Sequence, residues 1–175
     1  MDLKKYIRTV PNFPNDGIMF RDVTTLFNHA GAFGKAVSQF KDLWREYRVE
    51  AIAGIDARGF IIGGALATKL GLPFIALRKK GKLPYKTISE EYDLEYGKAS
   101  LEIHTDAIQN GDSVLIVDDL IATGGTAIAA VNLIKALGGN IVGCGFIIDL
   151  PDLGGAKKLE DSGVKVKSLI SYRGE

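Results

Sequence analysis

Hydrophobic residues along this chain alternate between two rhythms. From Ala30 to Tyr47 the residues Phe33, Val37, Phe40, Leu43, Trp44 and Tyr47 recur at three- and four-residue steps, which predicts a helix with one buried face. Ala51 to Ile55 is a compact apolar run, read as a strand, and Gly59 to Leu70 reads as a helix rich in small residues. Further strands are expected at Pro73 to Leu77, Ser113 to Val117, Ile141 to Ile148 and Val164 to Ile170. Helices are expected at Thr126 to Leu137 and at about Gly154 to Asp161, with a short one from Leu3 to Arg8 before Pro11 and Pro14. Strands alternating with helices predict an α/β fold, a mostly parallel central sheet covered by helices on both faces. The segment from Arg78 to Tyr96 breaks the rhythm. It is polar, rich in Lys, Glu and Tyr, and reads as a long loop of the kind that forms lids.

Composition changes little in this picture. With 175 residues, 46% hydrophobic and 25% charged, the chain reads as one ordinary globular domain. A net charge of +1 gives no pull toward nucleic acid or an anionic membrane, and no apolar run approaches a membrane span. No signal-like segment opens the chain, so a cytoplasmic protein is expected. Cys144 is the single cysteine, so no internal disulfide is possible. One Cys and the distant His29 and His104 argue against a zinc site. For these three residues only structural or surface roles are expected, and Trp44 is read as core.

The chemistry gathers where strands end, the place at which open α/β sheets bind ligands. Asp56-Ala57-Arg58-Gly59 follows the first apolar strand. Arg78-Lys79-Lys80-Gly81-Lys82 follows the second, and Asp118-Asp119 with Ala122-Thr123-Gly124-Gly125-Thr126 follows the third. The last loop opens a helix, where backbone N–H groups and the helix dipole suit a phosphate. It is neither a Walker A loop nor a dinucleotide fingerprint. Taken alone, Thr-Gly-Gly-Thr is equally a tight turn with an Asp cap. A cap needs only one Asp, whereas two suit a polyhydroxyl or a metal-bound sugar phosphate. Alone, Arg78 to Lys82 would read as a solvated basic loop.

Residues Val114 to Thr126 resemble the 5-phosphoribosyl-1-pyrophosphate (PRPP) motif of type I phosphoribosyltransferases. Four further stretches resemble the adenine phosphoribosyltransferase family: PNFPNDGIMFRD from Pro11, AGIDARGFIIG from Ala53, KKGKLP from Lys79 and YDLEYG from Tyr92. The resemblance implies conversion of adenine and PRPP to AMP and pyrophosphate with Mg²⁺ carried by the phosphates and no direct protein ligand to it. It implies a homodimer, a hood at about 1–28 and a lid at about 78–97.

By the same resemblance, Asp118 and Asp119 would hold the ribose hydroxyls and Ala122 to Thr126 the 5′-phosphate. Pyrophosphate would meet Asp56, Ala57, Arg58, Arg78, Lys79, Lys82 and Tyr96. Glu95 would be the acid/base group, with Arg58 also catalytic. Adenine would be read at Met19, Phe20 and Arg21; for Arg21, capping or pairing with Asp22 is an equal reading. Hypoxanthine, guanine or xanthine could be the base on the same framework. A PRPP-sensing regulator is the other class, disfavoured because its usual DNA-binding extension has no place here. Asn12, Asp56 and Tyr85 depart from the family's usual acid, Glu and Gly.

Overall fold

A computed structural model describes residues 1–94 and 96–174. Among the described residues its main sheet has seven strands, in the order β5 (Thr87–Asp93), β6 (Lys98–His104), β4 (Phe74–Lys79), β3 (Ala51–Ile55), β7 (Ser113–Ile121), β8 (Asn140–Asp149) and β9 (Val166–Ser171). Strands β3, β4, β7, β8 and β9 form its parallel part. Side chains alternate across the sheet. Ala53, Ile55, Val114 and Ile116 face one core, completed by α4 (Gly125–Ala136) and by Leu159 of α5 (Gly155–Asp161). Ile52, Leu115 and Val117 face the other, closed by α2 (Ala30–Trp44) and α3 (Arg58–Leu70). The expected two-faced α/β architecture is what the chain adopts.

Trp44 and Phe40 are core, and β8 makes room for them with glycines. A Cβ on Gly143 would collide with the Trp44 ring, and one on Gly145 would lie 2.7 Å from Phe40. Of the remaining residues given structural roles, His29 caps α2 by accepting the Ala32 N–H at 3.1 Å, and Cys144 is buried.

Three expected elements differ, and a hairpin and a one-turn helix near the N-terminus are not among those expected. The first helix is a shorter 3-10 turn, Leu3–Tyr6. After it β1 (Arg8–Pro11) pairs antiparallel with β2 (Met19–Asp22), a small separate sheet. Asn12 turns this hairpin with φ 57°, and its side chain accepts the Gly17 N–H at 2.9 Å. Asn is among the few side chains that tolerate this backbone region, which accounts for its presence. A one-turn helix α1, Thr24–Phe27, follows.

The expected loop over 78–96 is half strand among its described residues. β4 continues to Lys79, and β5 (Thr87–Asp93) pairs along its whole length with β6 (Lys98–His104). Only Ile88 and Tyr92 of β5 pack on the core, and Glu90 between them accepts from Asn132 of α4 at 3.1 Å. Two apolar residues with a polar one between them leave little alternation to read. Finally, β7 runs four residues further than expected, so Asp118 and Asp119 lie within it, beside β8.

Candidate active site

The carboxyl ends of β3, β4 and β7 converge on one cavity of about 380 Å³. Asp56, Ala57, Arg58, Lys79, Asp118, Asp119 and the run Ala122 to Thr126 all line it. The Asp56–Ala57 peptide, which joins β3 to α3, is cis.

Opposite charges are interlocked across this floor. Arg58 Nε donates to Asp119 Oδ2 at 2.5 Å, and the Asp119 N–H donates to Asp118 Oδ1 at 2.8 Å. Desolvation, and then the charge of Asp119, push the Asp118 carboxyl well above the usual carboxylate range. For Arg58, desolvation opposes the cation, but Asp119 and Asp118 outweigh it and the net direction is upward. Asp56 gathers the basic segment of β4. Its nearly buried carboxylate accepts from Arg78 Nε at 3.4 Å and lies 3.6 Å from Lys82 Nζ. Arg78 also stands over the Phe60 ring, 5.8 Å from its centroid. Thus Arg78 and Lys82 are tethered behind the cavity and do not line it.

At the start of α4, the first N–H groups have no intrahelical partner and point toward an incoming anion. Gly124 reaches this turn with φ 89°. Gly155, the first residue of α5, packs directly on it. The Gly155 N–H donates to Ala122 O at 2.9 Å, and a Cβ at 155 would strike that carbonyl and lie 2.7 Å from Gly124 N. Gly59 has a matching role: a Cβ there would come within 2.9 Å of Asp118 Oδ1. No local motif signals Gly155, because its partner loop is some thirty residues away (Gly155 against Gly124).

A second cavity of about 840 Å³ adjoins the first and shares Tyr92, Leu94, Thr123, Gly125 and Thr126 with it. Gly17, Ile18 and Met19 from the hairpin line it, facing Leu150, Leu153 and Lys158. Met19 is therefore where adenine recognition is expected, but Phe20 and Arg21 do not line this cavity. The Phe20 ring packs edge-on against Phe13 at 5.1 Å, and Arg21 donates to Thr9 Oγ1 at 2.6 Å. Asp22 pairs with Arg8, not with Arg21. Tyr96 is 85% exposed and lines neither cavity. Glu95 lies outside the described residues. Leu150, Leu153 and Lys158 went unrecognised in the sequence, as they carry no signature of their own.

The Phosphoribosyl transferase domain family model matches residues 27–171. An adenine phosphoribosyltransferase of Dinoroseobacter shibae is 56% identical over 173 residues, 99% of this chain and 97% of the relative. Among solved structures, adenine phosphoribosyltransferase from Thermoanaerobacter pseudethanolicus superposes with a TM-score of 0.93 at 44% identity, covering 97% of this chain and 98% of that one. The Saccharomyces cerevisiae enzyme, solved with an imino-altritol bisphosphate and adenine, gives 0.90 at 38% identity, covering 95% and 96%. A family model matching residues 27–171, a matched fold and identity sustained over nearly the full length place this chain in the phosphoribosyltransferase family, among the adenine phosphoribosyltransferases.

Proposed function

We propose that the chain transfers the phosphoribosyl group of PRPP to adenine, yielding AMP and pyrophosphate. The observation that carries this reading is the pair of adjoining cavities, one charged and lined by Asp118, Asp119 and the α4 loop, the other edged by Met19 and Leu153. Their shared wall is the start of α4, where a ribose held in one would present its anomeric carbon to a base in the other. The bond from C1′ to the diphosphate oxygen breaks, the bond from C1′ to adenine N9 forms, and the N9 proton leaves to a base.

The roles follow from charge and placement. Asp118 and Asp119 hold the ribose 2′ and 3′ hydroxyls, and the backbone from Ala122 to Thr126 holds the 5′-phosphate. Arg58 and Lys79 face the diphosphate, a guanidinium offering paired contacts and an ammonium a point charge. Arg78 and Lys82, gathered by Asp56, add positive potential behind them. Ala57 and Tyr96 complete the diphosphate side in this reading.

Among the described residues no group of three or more His, Cys, Asp or Glu gathers to hold a metal ion. The residues fit Mg²⁺ that arrives on the diphosphate, with Asp118 and Asp119 as acceptors beside it. When bound, the ion supplies positive charge that offsets the charge of the leaving pyrophosphate.

Glu95, by family resemblance, takes the N9 proton. Residues 1–28 act as the hood over adenine, and 78–97 as the lid that excludes water during transfer. Met19 touches the base, whereas Phe20 and Arg21 support it from within the hood. A homodimer working in the cytoplasm completes the reading. No helix of the described residues is long and apolar enough to cross a membrane.

Incubation with PRPP, Mg²⁺ and each purine in turn tests the assignment. Adenine is expected to give AMP and pyrophosphate in equal amounts. Faster turnover of hypoxanthine, guanine or xanthine would move the specificity, and no turnover of any base would revive a binding-only protein.

A further inference from the structure

The hood reaches the base cavity through β2, which is anchored in the core through Ile7 and Val23 on either side of the hairpin and touches the C-terminal tail through Arg21. Successive side chains of a strand point to opposite faces, so Met19 and Arg21 share one face and Phe20 takes the other. Met19 lines the larger cavity. Arg21 instead places its guanidinium 4.1 Å from the centroid of the Tyr172 ring, and Lys4 Nζ lies 5.0 Å from the same ring. Both distances are within cation–π range.

Tyr172 is itself fixed. It follows β9 directly, and its N–H donates to Asp149 O at 3.0 Å. Two residues later the Gly174 N–H donates to the Asp152 carboxylate at 2.5 Å, and Gly174 lines the larger cavity. The tail thus touches the hood on one side and the cavity on the other. A two-stranded sheet such as β1–β2 is marginal by itself, so its placement depends on such outside contacts.

We propose that Tyr172 is a positioning residue for the acceptor base: its ring, stacked with Arg21, seats β2 against the C-terminal tail and so sets the wall that Met19 presents to adenine. The proposal rests on reading the larger cavity as the adenine site. Among the described residues none beyond Phe146 lines the smaller cavity. The effect of Tyr172 therefore falls on adenine and spares PRPP.

Steady-state constants for both substrates, with hydrogen exchange of residues 8–22 in the ligand-free protein, test this in wild type, Tyr172→Ala and Tyr172→Phe. Tyr172→Ala is expected to raise the adenine KM about five- to tenfold, to leave the PRPP KM within about twofold, and to speed exchange across β1–β2. Tyr172→Phe keeps the ring face that meets Arg21 and is expected to stay clearly nearer wild type than Tyr172→Ala in adenine KM and in exchange. Tyr172→Ala with wild-type adenine KM and exchange overturns the proposal. So does a parallel rise in both KM values, or a Phe variant as impaired as the Ala one. A wild-type protein that leaves adenine unreacted would instead strike at the proposed function, and the exchange readout, which needs no substrate, would still decide the tether.

Discussion

Two aspartates of this chain are shifted in opposite directions, and their consequences are opposite. Asp118 keeps its proton more tightly than an ordinary carboxyl, through desolvation and then the neighbouring Asp119. The folded protein therefore retains a proton that the unfolded chain releases near pH 4, and this group subtracts stability as pH rises from there through its folded pKa. Asp118→Asn removes that titration. The variant is expected to melt at or above wild type at pH 7, with the difference vanishing below about pH 4. Denaturation followed at several pH values checks this, and a lower-melting variant at neutral pH would contradict it. Asp22 is the converse. The Thr24 hydroxyl, with Arg8 adding to it against the cost of burial, holds its carboxyl down at about 2. Its contribution is present above about pH 4 and is lost as pH falls toward 2, so the hood weakens in acid. The residue chemistry is the most legible part of the sequence, because Asp118, Asp119 and Gly124 fall within one short stretch and declare their setting locally. Arg21 is not: its partners Thr9 and Tyr172 come from β1 and from the far end of the chain.

Elements packed through glycine provide the next test. Gly145 lets Phe40 of α2 settle onto β8, and Gly155 lets α5 settle onto the phosphate loop. Both contacts are too close for a Cβ, but only the second touches the site. Gly145→Ala is expected to cost about 1–3 kcal/mol of stability without altering either KM, since overpacking strains a well-filled core. Gly155→Ala should displace Ala122 and Gly124, raising the PRPP KM about tenfold or more while the adenine KM holds. Thermal melts with two-substrate kinetics separate the two variants, and equal effects on PRPP from both would refute the distinction. Legibility at this scale followed burial. The strands β3, β7 and β8 are apolar on both faces and were read correctly in place, though β7 and β8 run further than expected. The hairpins β1–β2 and β5–β6 carry no such signal, since β1, β2 and β5 bury no side chain fully and Glu90 takes an inward position of β5 between Ile88 and Tyr92.

At the scale of the molecule, the parallel sheet delivers three strand ends to one edge, and the two hairpins border the space above it. Under the proposed function that arrangement divides the labour: the strand-end loops that line the smaller cavity would face the phosphoribosyl donor, and the hairpin and tail that line the larger one would face the base. The motif from Val114 to Thr126 could identify the donor side because it is local. The base side is assembled from Met19, Leu153 and Gly174, positions spread across nearly the whole chain, so no stretch of sequence announces it. The most direct test of this division is the PRPP and adenine KM of a protein carrying Asp118→Asn and Asp119→Asn together, measured beside its melting temperature. The predicted result is a PRPP KM raised at least about tenfold, with the adenine KM within about twofold and the fold intact. An unchanged PRPP KM in a folded double variant would contradict it.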